Sequence, residues 1–250
     1  MKMERNSGLY DLDALYAFCD GKNEPLIKHL EEVSYLCGKL CEQVGLRGEV
    51  GSLAGLFHDV GKAIPEFQRS CSFFGHEVIS FAVVSLLIEN ELVKLEDPIE
   101  RGAVRYAILF HHQAHRWVYY TIKNMKDKIK KYFSDSSIVE LLSKLVEYLL
   151  KNYTNVAVNR EEIKDLLASL ASKSLSNFTG RLFNANGKEF NLKEISILRA
   201  YSGALMVSDK YISVKARRGS EKSPYFGSVN ALIKSLGGIS SSINSEIYRG

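Results

Sequence analysis

Residues 53–62 read LAGLFHDVGK. Leu53, Leu56 and Phe57 recur at helical spacing and are followed at once by His58 and Asp59, so two groups suited to metal ligation close an apolar helix. Gly61 reads as the left-handed residue that stops it. A helix C-terminus carries partial negative charge and favours a cation beside its last turn. Adjacent helical residues point about 100° apart, so His58 and Asp59 reach one point only with help from other helices. Asp59 has two oxygens and can bridge two cations while histidines from those helices complete each shell.

The flanking sequence supplies the helices. From Pro25 to Val44 the residues Leu26, Ile27, Leu30, Val33, Leu36, Cys37, Leu40, Cys41 and Val44 recur at three and four, with Pro25 suited to a first turn. Comparable patterns over 49–60, 76–92, 99–113, 116–132, 136–152, 159–172, 192–214 and 228–247 predict a mainly α protein. The exception is Thr179 to Leu192, where a turn over Asn184 to Gly187 predicts a short β-hairpin near residues 179–192. Without repeats or low-complexity linkers, the expectation is a single compact helical domain over 1–250. Its catalytic core would span about 20–215, followed by a basic loop and helix over about 215–250.

Composition limits the function classes. The 250 residues are 46% hydrophobic and 25% charged with 4 Pro, which excludes disorder, collagen and coiled-coil fibre. A chain of this length buries enough core to fold without a disulfide or structural metal, so a metal signal calls for a chemical explanation. The net charge of +4 is too small to name a partner, but its distribution is uneven. Lys123, Lys126, Lys128, Lys130 and Lys131 crowd one stretch, and Lys210, Lys215, Arg217, Arg218 and Lys222 another. Cys19, Cys37, Cys41 and Cys71 form no CxxC pair, and the expectation is a protein with reduced cysteines. The longest apolar run, Phe81 to Ile88, is interrupted by Ser85 and far shorter than the roughly 20 residues a bilayer helix needs. A soluble, cytoplasmic protein without a membrane partner is expected.

His29 lies between Leu26 and Val33 on an apolar stripe, His76 opens a helix with Ile79 and Val83, and His111-His112 end the run Ile108, Leu109, Phe110. Any one of these suits a core histidine bonded to a carbonyl. Five inward histidines and an inward aspartate without a shared partner are costly. Asp209 is the strongest single signal, because it falls in the series Ile195, Leu198, Ser202, Leu205, Asp209, Ile212 where an apolar residue is due. A carboxylate there needs a countercharge, either a metal or a cation such as Lys62.

The order His29, His58-Asp59 within HDVGK, His76, His111-His112 and Asp209 resembles the HD superfamily of metal-dependent phosphohydrolases. More narrowly it resembles the stand-alone HD nuclease of type I CRISPR interference. The resemblance implies one metal held by His29, His58, Asp59 and Asp209, and a second held by Asp59 as a bridge with His76, His111 and His112. Lys62 matches the family lysine near the scissile phosphate, which makes Asp59 and Lys62 the implied catalytic residues. His115 fits no family position and reads as a rim or structural residue. Implied partners are single-stranded DNA or RNA, a separate helicase subunit and the CRISPR surveillance complex.

Two divalent cations can activate water and stabilise the leaving oxygen of a phosphodiester. Histidine with carboxylate suits manganese, nickel, cobalt, iron or zinc, with magnesium also admitted. The two basic stretches are the expected strand contacts, with Trp117, Tyr119 and Tyr120 as base-stacking candidates. The alternatives are an HD phosphohydrolase of nucleotides or cyclic nucleotides, as in the HD-GYP phosphodiesterases, and a non-catalytic helical adaptor.

Overall fold

The computed structural model describes residues 11–19, 23–112, 118–154, 156–174, 179, 182, 184–185, 188–216 and 227–231. Among the described residues, nine helices run in the order α1 (Leu26–Gln43), α2 (Gly48–Phe57), α3 (Pro65–Ser70), α4 (His76–Glu89), α5 (Pro98–Phe110), α6 (Val118–Phe133), α7 (Ser136–Tyr153), α8 (Arg160–Ala168) and α9 (Leu192–Ala216). They form a compact, mainly α domain, with a further helical segment over 227–231. The predicted hairpin is present as β3 (Asn184–Ala185) paired antiparallel with β4 (Lys188–Glu189). The rest of the helix expected over 228–247 lies outside the described residues.

Local chemistry accounts for the helix starts. Asp97, Asp135 and Asn159 accept hydrogen bonds from the backbone N–H two residues on, and Pro98 follows the first of them. At α9, Asn191 and Glu194 cap each other reciprocally, with Asn191 N–H donating to Glu194 Oε2 at 2.6 Å and Glu194 N–H to Asn191 Oδ1 at 3.0 Å.

Helices α1, α2, α5 and α9 pack on one another, and α4 lies against α5 and the 3-10 turn Val60–Ala63. Residues 76–88 of α4 are all buried, which explains a sequence apolar on every side. Close approach of α1 and α2 needs Gly55, where a Cβ would lie 2.6 Å from Ser34 Cα and 2.9 Å from Val33 O. That approach brings His58 up to His29. The start of α2 is tied to two neighbours, since Arg47 bridges both oxygens of Glu100 on α5 at 2.8 Å and its N–H donates to the Tyr201 hydroxyl of α9 at 3.1 Å.

Two expectations need correction. Gly61 is not left-handed; it sits in the 60–63 turn because a Cβ there would collide with the His76 carbonyl oxygen. Cys19 and Cys71 are joined in a disulfide, whereas Cys37 and Cys41 are free and buried. A sequence separation of 52 positions hides this pairing, and tertiary folding brings the Cα atoms of Cys19 and Cys71 to 5.8 Å. The fold adds an N-terminal antiparallel pair, β1 (Tyr16–Phe18) and β2 (Glu24–Pro25), which is too short to show periodicity. Gln68 of α3 holds it: its side chain accepts from Tyr16 N–H and donates to the carbonyls of Tyr16 and Lys62.

Candidate metal centre

The seven predicted ligand residues come from five helical segments and meet in one place. His29 lies in the first turns of α1, His58 and Asp59 directly follow α2, His76 opens α4, His111 and His112 directly follow α5, and Asp209 lies on α9. His29, His58, Asp59, His76 and His111 are buried, while the side chain of Asp209 is 16% exposed.

Asp59 is the hub. Its Oδ1 is 2.8 Å from His76 Nε2 and 3.6 Å from His111 Nε2. Its Oδ2 is 3.2 Å from His58 Nε2, 3.4 Å from His29 Nε2 and 2.5 Å from Lys62 Nζ. Asp209 Oδ1 completes the second side at 3.2 Å from His29 Nε2 and 3.8 Å from His58 Nε2. Two groups with ligand atoms mutually within 4.8 Å result: His29, His58, Asp59 and Asp209, and Asp59, His76, His111 and His112. The countercharge of Asp209 is therefore not Lys62, which pairs with Asp59 and lies 5.4 Å from the centre of the Phe73 ring.

The far side of each ring fixes which nitrogen faces inward. Nδ1 of His58, His76 and His111 lies 2.7, 2.5 and 2.6 Å from the carbonyl oxygens of Gly55, Phe73 and Ile108, in each case three residues back. A carbonyl only accepts, so each Nδ1 carries a hydrogen, and in the neutral imidazole each Nε2 presents a lone pair to the centre. At His58 and His111 the carbonyl belongs to the last helical turn, which lacks an intrahelical donor. His29 differs, since its Nδ1 lies 3.1 Å from the carboxylate Oε2 of buried Glu24 on β2.

The Nε2 atoms of His29, His58, His76 and His111 and both Asp59 oxygens are buried without a well-aligned hydrogen bond, Lys62 being in ion-pair contact with Oδ2. They lie within ion-pair range of one another but share no well-aligned hydrogen. Buried polar atoms left so cost about 1–3 kcal/mol each. Divalent cations satisfy lone pairs on both sides at once, and the donor set of imidazole with carboxylate fits them.

The charge balance is uneven between the two groups. Burial opposes ionisation of Asp59, but His58, Lys62 and His76 hold its carboxyl well below the usual range; His29 and His58 do the same for Asp209 against its own burial. Burial works against protonated His29 and His58, yet Asp209, Asp59 and Glu24 push His29 well up, and Asp59 and Asp209 raise His58. His111 and His112 are shifted down by burial, helped by their histidine neighbours.

The basic stretch Lys123 to Lys131 lies on α6 with all five lysines exposed, and Lys128 and Lys131 pair with Glu66 of α3 at 3.8 and 3.3 Å. Met125 of the same helix packs over Gly75, the residue before His76, so α6 flanks the centre. Lys210 and Lys215 are exposed on α9, and Tyr120 is 62% exposed. Arg217, Arg218, Lys222, His115, Trp117 and the Tyr119 side chain lie outside the described residues. Sequence reasoning missed Glu24, because it precedes the helix and belongs to no periodic stretch. Its one signal was an acidic residue five before an inward histidine.

No helix among the described residues is long and apolar enough to cross a membrane. The HD domain family matches residues 26–170, a span that holds every ligand candidate except Asp209, which the fold adds from α9. The chain is 37% identical over 59 residues to ribonuclease Y of Aquifex aeolicus (strain VF5), a stretch that is 24% of this chain and 11% of that protein. It is 43% identical over 56 residues to ribonuclease Y of Acholeplasma laidlawii (strain PG-8A), covering 22% of this chain and 11% of the relative. The chain thus spans about a tenth of each of these relatives. No solved structure matches. A family match over more than half of the residues, joined to histidine–aspartate clusters that could hold cations, means that the chain belongs to the HD domain family of metal-dependent phosphohydrolases.

Proposed function

We propose that the protein is a metal-dependent nuclease that hydrolyses phosphodiester bonds of single-stranded nucleic acid, with two divalent transition-metal ions bridged by Asp59. The observation that carries this reading is that each Asp59 oxygen faces a different set of histidines. His29, His58, Asp59 and Asp209 would hold one ion, and Asp59, His76, His111 and His112 the other. Manganese, nickel, cobalt, iron and zinc suit these donors, and magnesium is admitted. Bound there, such ions supply Lewis acidity to the phosphodiester and to the attacking water.

The chain's own residues do the rest. The carbonyls of Gly55, Phe73 and Ile108 keep three imidazoles in the tautomer with Nε2 directed inward. Lys62, held by Asp59, supplies a fixed positive charge for negative charge developing on the phosphate. The exposed lysines of α6, with Lys210 and Lys215 on α9, suit a polyanionic strand better than a mononucleotide. Within this reading the finer assignment is the nuclease component of CRISPR interference, cutting single-stranded DNA beside a separate helicase subunit and a surveillance complex. The order of the ligand residues supports it. The likeness to two proteins named ribonuclease Y favours RNA as the second reading.

The test is a substrate panel in manganese or nickel: single- and double-stranded DNA, single-stranded RNA, mononucleotides and cyclic nucleotides. Cleavage of single-stranded DNA, abolished in folded Asp59→Ala, is expected. Faster cleavage of RNA selects the ribonuclease reading. Faster turnover of mononucleotides or cyclic nucleotides overturns the nuclease in favour of a small-molecule phosphohydrolase.

A further inference from the structure

Resting on the two-cation reading above, we infer that Glu24 is a positioning residue for one half of the centre, and that it makes the two cation positions unequal in affinity. The half containing His29, His58, Asp59 and Asp209 is the tighter one.

Three of the inward histidines are oriented by neutral backbone carbonyls, whereas His29 is oriented by a carboxylate. An anionic acceptor on Nδ1–H makes the stronger hydrogen bond and increases electron density at Nε2, which improves it as a ligand. Glu24 is itself 6% exposed, so water does not replace it. The ligand charges run the same way. The His29 half contains two carboxylates, Asp59 and Asp209, and the other half has Asp59 with three imidazoles.

The position of Glu24 is determined by the N-terminal strand pair rather than by α1. Leu26 N–H donates to the Leu15 carbonyl at 2.8 Å, Gln68 clasps Tyr16 and also donates to the Lys62 carbonyl at 2.7 Å, and the Phe18 ring stands edge-on to His29 at 6.1 Å. Strand β2 thereby holds the Glu24 carboxylate behind His29.

The experiment is isothermal titration of the chelator-stripped protein with manganese. Wild type is expected to show two classes of site. Glu24→Gln keeps an oxygen acceptor but loses the charge, and Glu24→Ala loses both, so the tighter class should weaken by roughly 10–100-fold in Glu24→Ala and by less in Glu24→Gln. The looser class should change by less than about threefold. A cycle locates the effect: the loss from Glu24→Ala should vanish in an Asp209→Asn background and persist in His112→Ala. Unchanged affinities in Glu24→Ala, or an equal loss in both classes, overturns the inference. Absence of manganese binding to the wild type overturns the two-cation reading itself, a failure that is read before any variant is made. Circular dichroism verifies folding, and the near-isosteric Glu24→Gln keeps the test open if Glu24→Ala does not fold.

Discussion

Lys62 Nζ lies 2.5 Å from Asp59 Oδ2, the same oxygen that faces His29 and His58. The lysine thus sits where a cation and a lysine would share one carboxylate. Lys62→Met is expected to retain bound metal and lose about 10²–10³-fold in turnover, the size of losing one preorganised charge donor. Without metal, the same change leaves buried Asp59 short of a partner, and breaking such a pair costs about 3–5 kcal/mol. Turnover, metal content and melting with and without chelator together check the assignment. A full-activity Lys62→Met variant would remove Lys62 from the chemistry.

Metal-free protein should be most stable near the ordinary histidine value of 6.5. His29 and His58 have raised values, so their stabilisation is complete below 6.5 and is lost as pH rises through their folded-state values. His111 and His112 have lowered values, so the unfolded state takes up protons that the folded state refuses, and stability falls as pH drops below 6.5. Asp59 and Asp209 are depressed, which adds a further loss only below about 3.8. Urea unfolding between pH 5 and 9 should trace a maximum that flattens on adding manganese, with roughly 2.7 kcal/mol gained at 100 times Kd. A monotonic profile would contradict the charge assignment.

Gly61→Ala should destabilise the protein by about 1–3 kcal/mol, because the new methyl meets the backbone carbonyl of His76 and cannot be relieved by a rotamer change. The same displacement moves His76 away from Asp59, so weaker cation binding should accompany the lower melting temperature. A variant that melts lower but binds manganese as the wild type does would separate packing from the site.

The Cys19–Cys71 disulfide ties the strand pair to the segment that leads into His76, across a sequence separation of 52. In the chain-entropy account, a crosslink closing a loop of that size stabilises by about 4 kcal/mol. Cys19→Ser, or reduction of the wild type, should lower stability by up to that amount. Since Glu24 follows Cys19 on the same pair, the affinity of the His29 half should fall with it. Equal stability in reduced and oxidised protein would show that the strand pair is held by its hydrogen bonds alone.

The helical architecture was legible because its signals are periodic and local. One helix alone shows that Asp209 needs a partner, since a carboxylate in an apolar stripe requires a countercharge, and His29 lies 3.2 Å away. The His58-Asp59 pair and the His111-His112 pair are visible as candidate ligands at helix ends. What the sequence could not show is which partner each takes. From the sequence Lys62 is a candidate countercharge for Asp209, and the turn that Gly61 makes possible places it against Asp59 instead. Glu24 and the cysteine pair were beyond reach for the same reason: β1 and β2 are three and two residues long, and their meaning lies in contacts with residues far along the chain. By itself, then, the sequence determined the helices, the ligand types and the family. Only the tertiary structure decided how the ligands divide around Asp59 and what stands behind each imidazole, because ligation depends on distances of a few ångströms between separate helices, which no periodicity encodes.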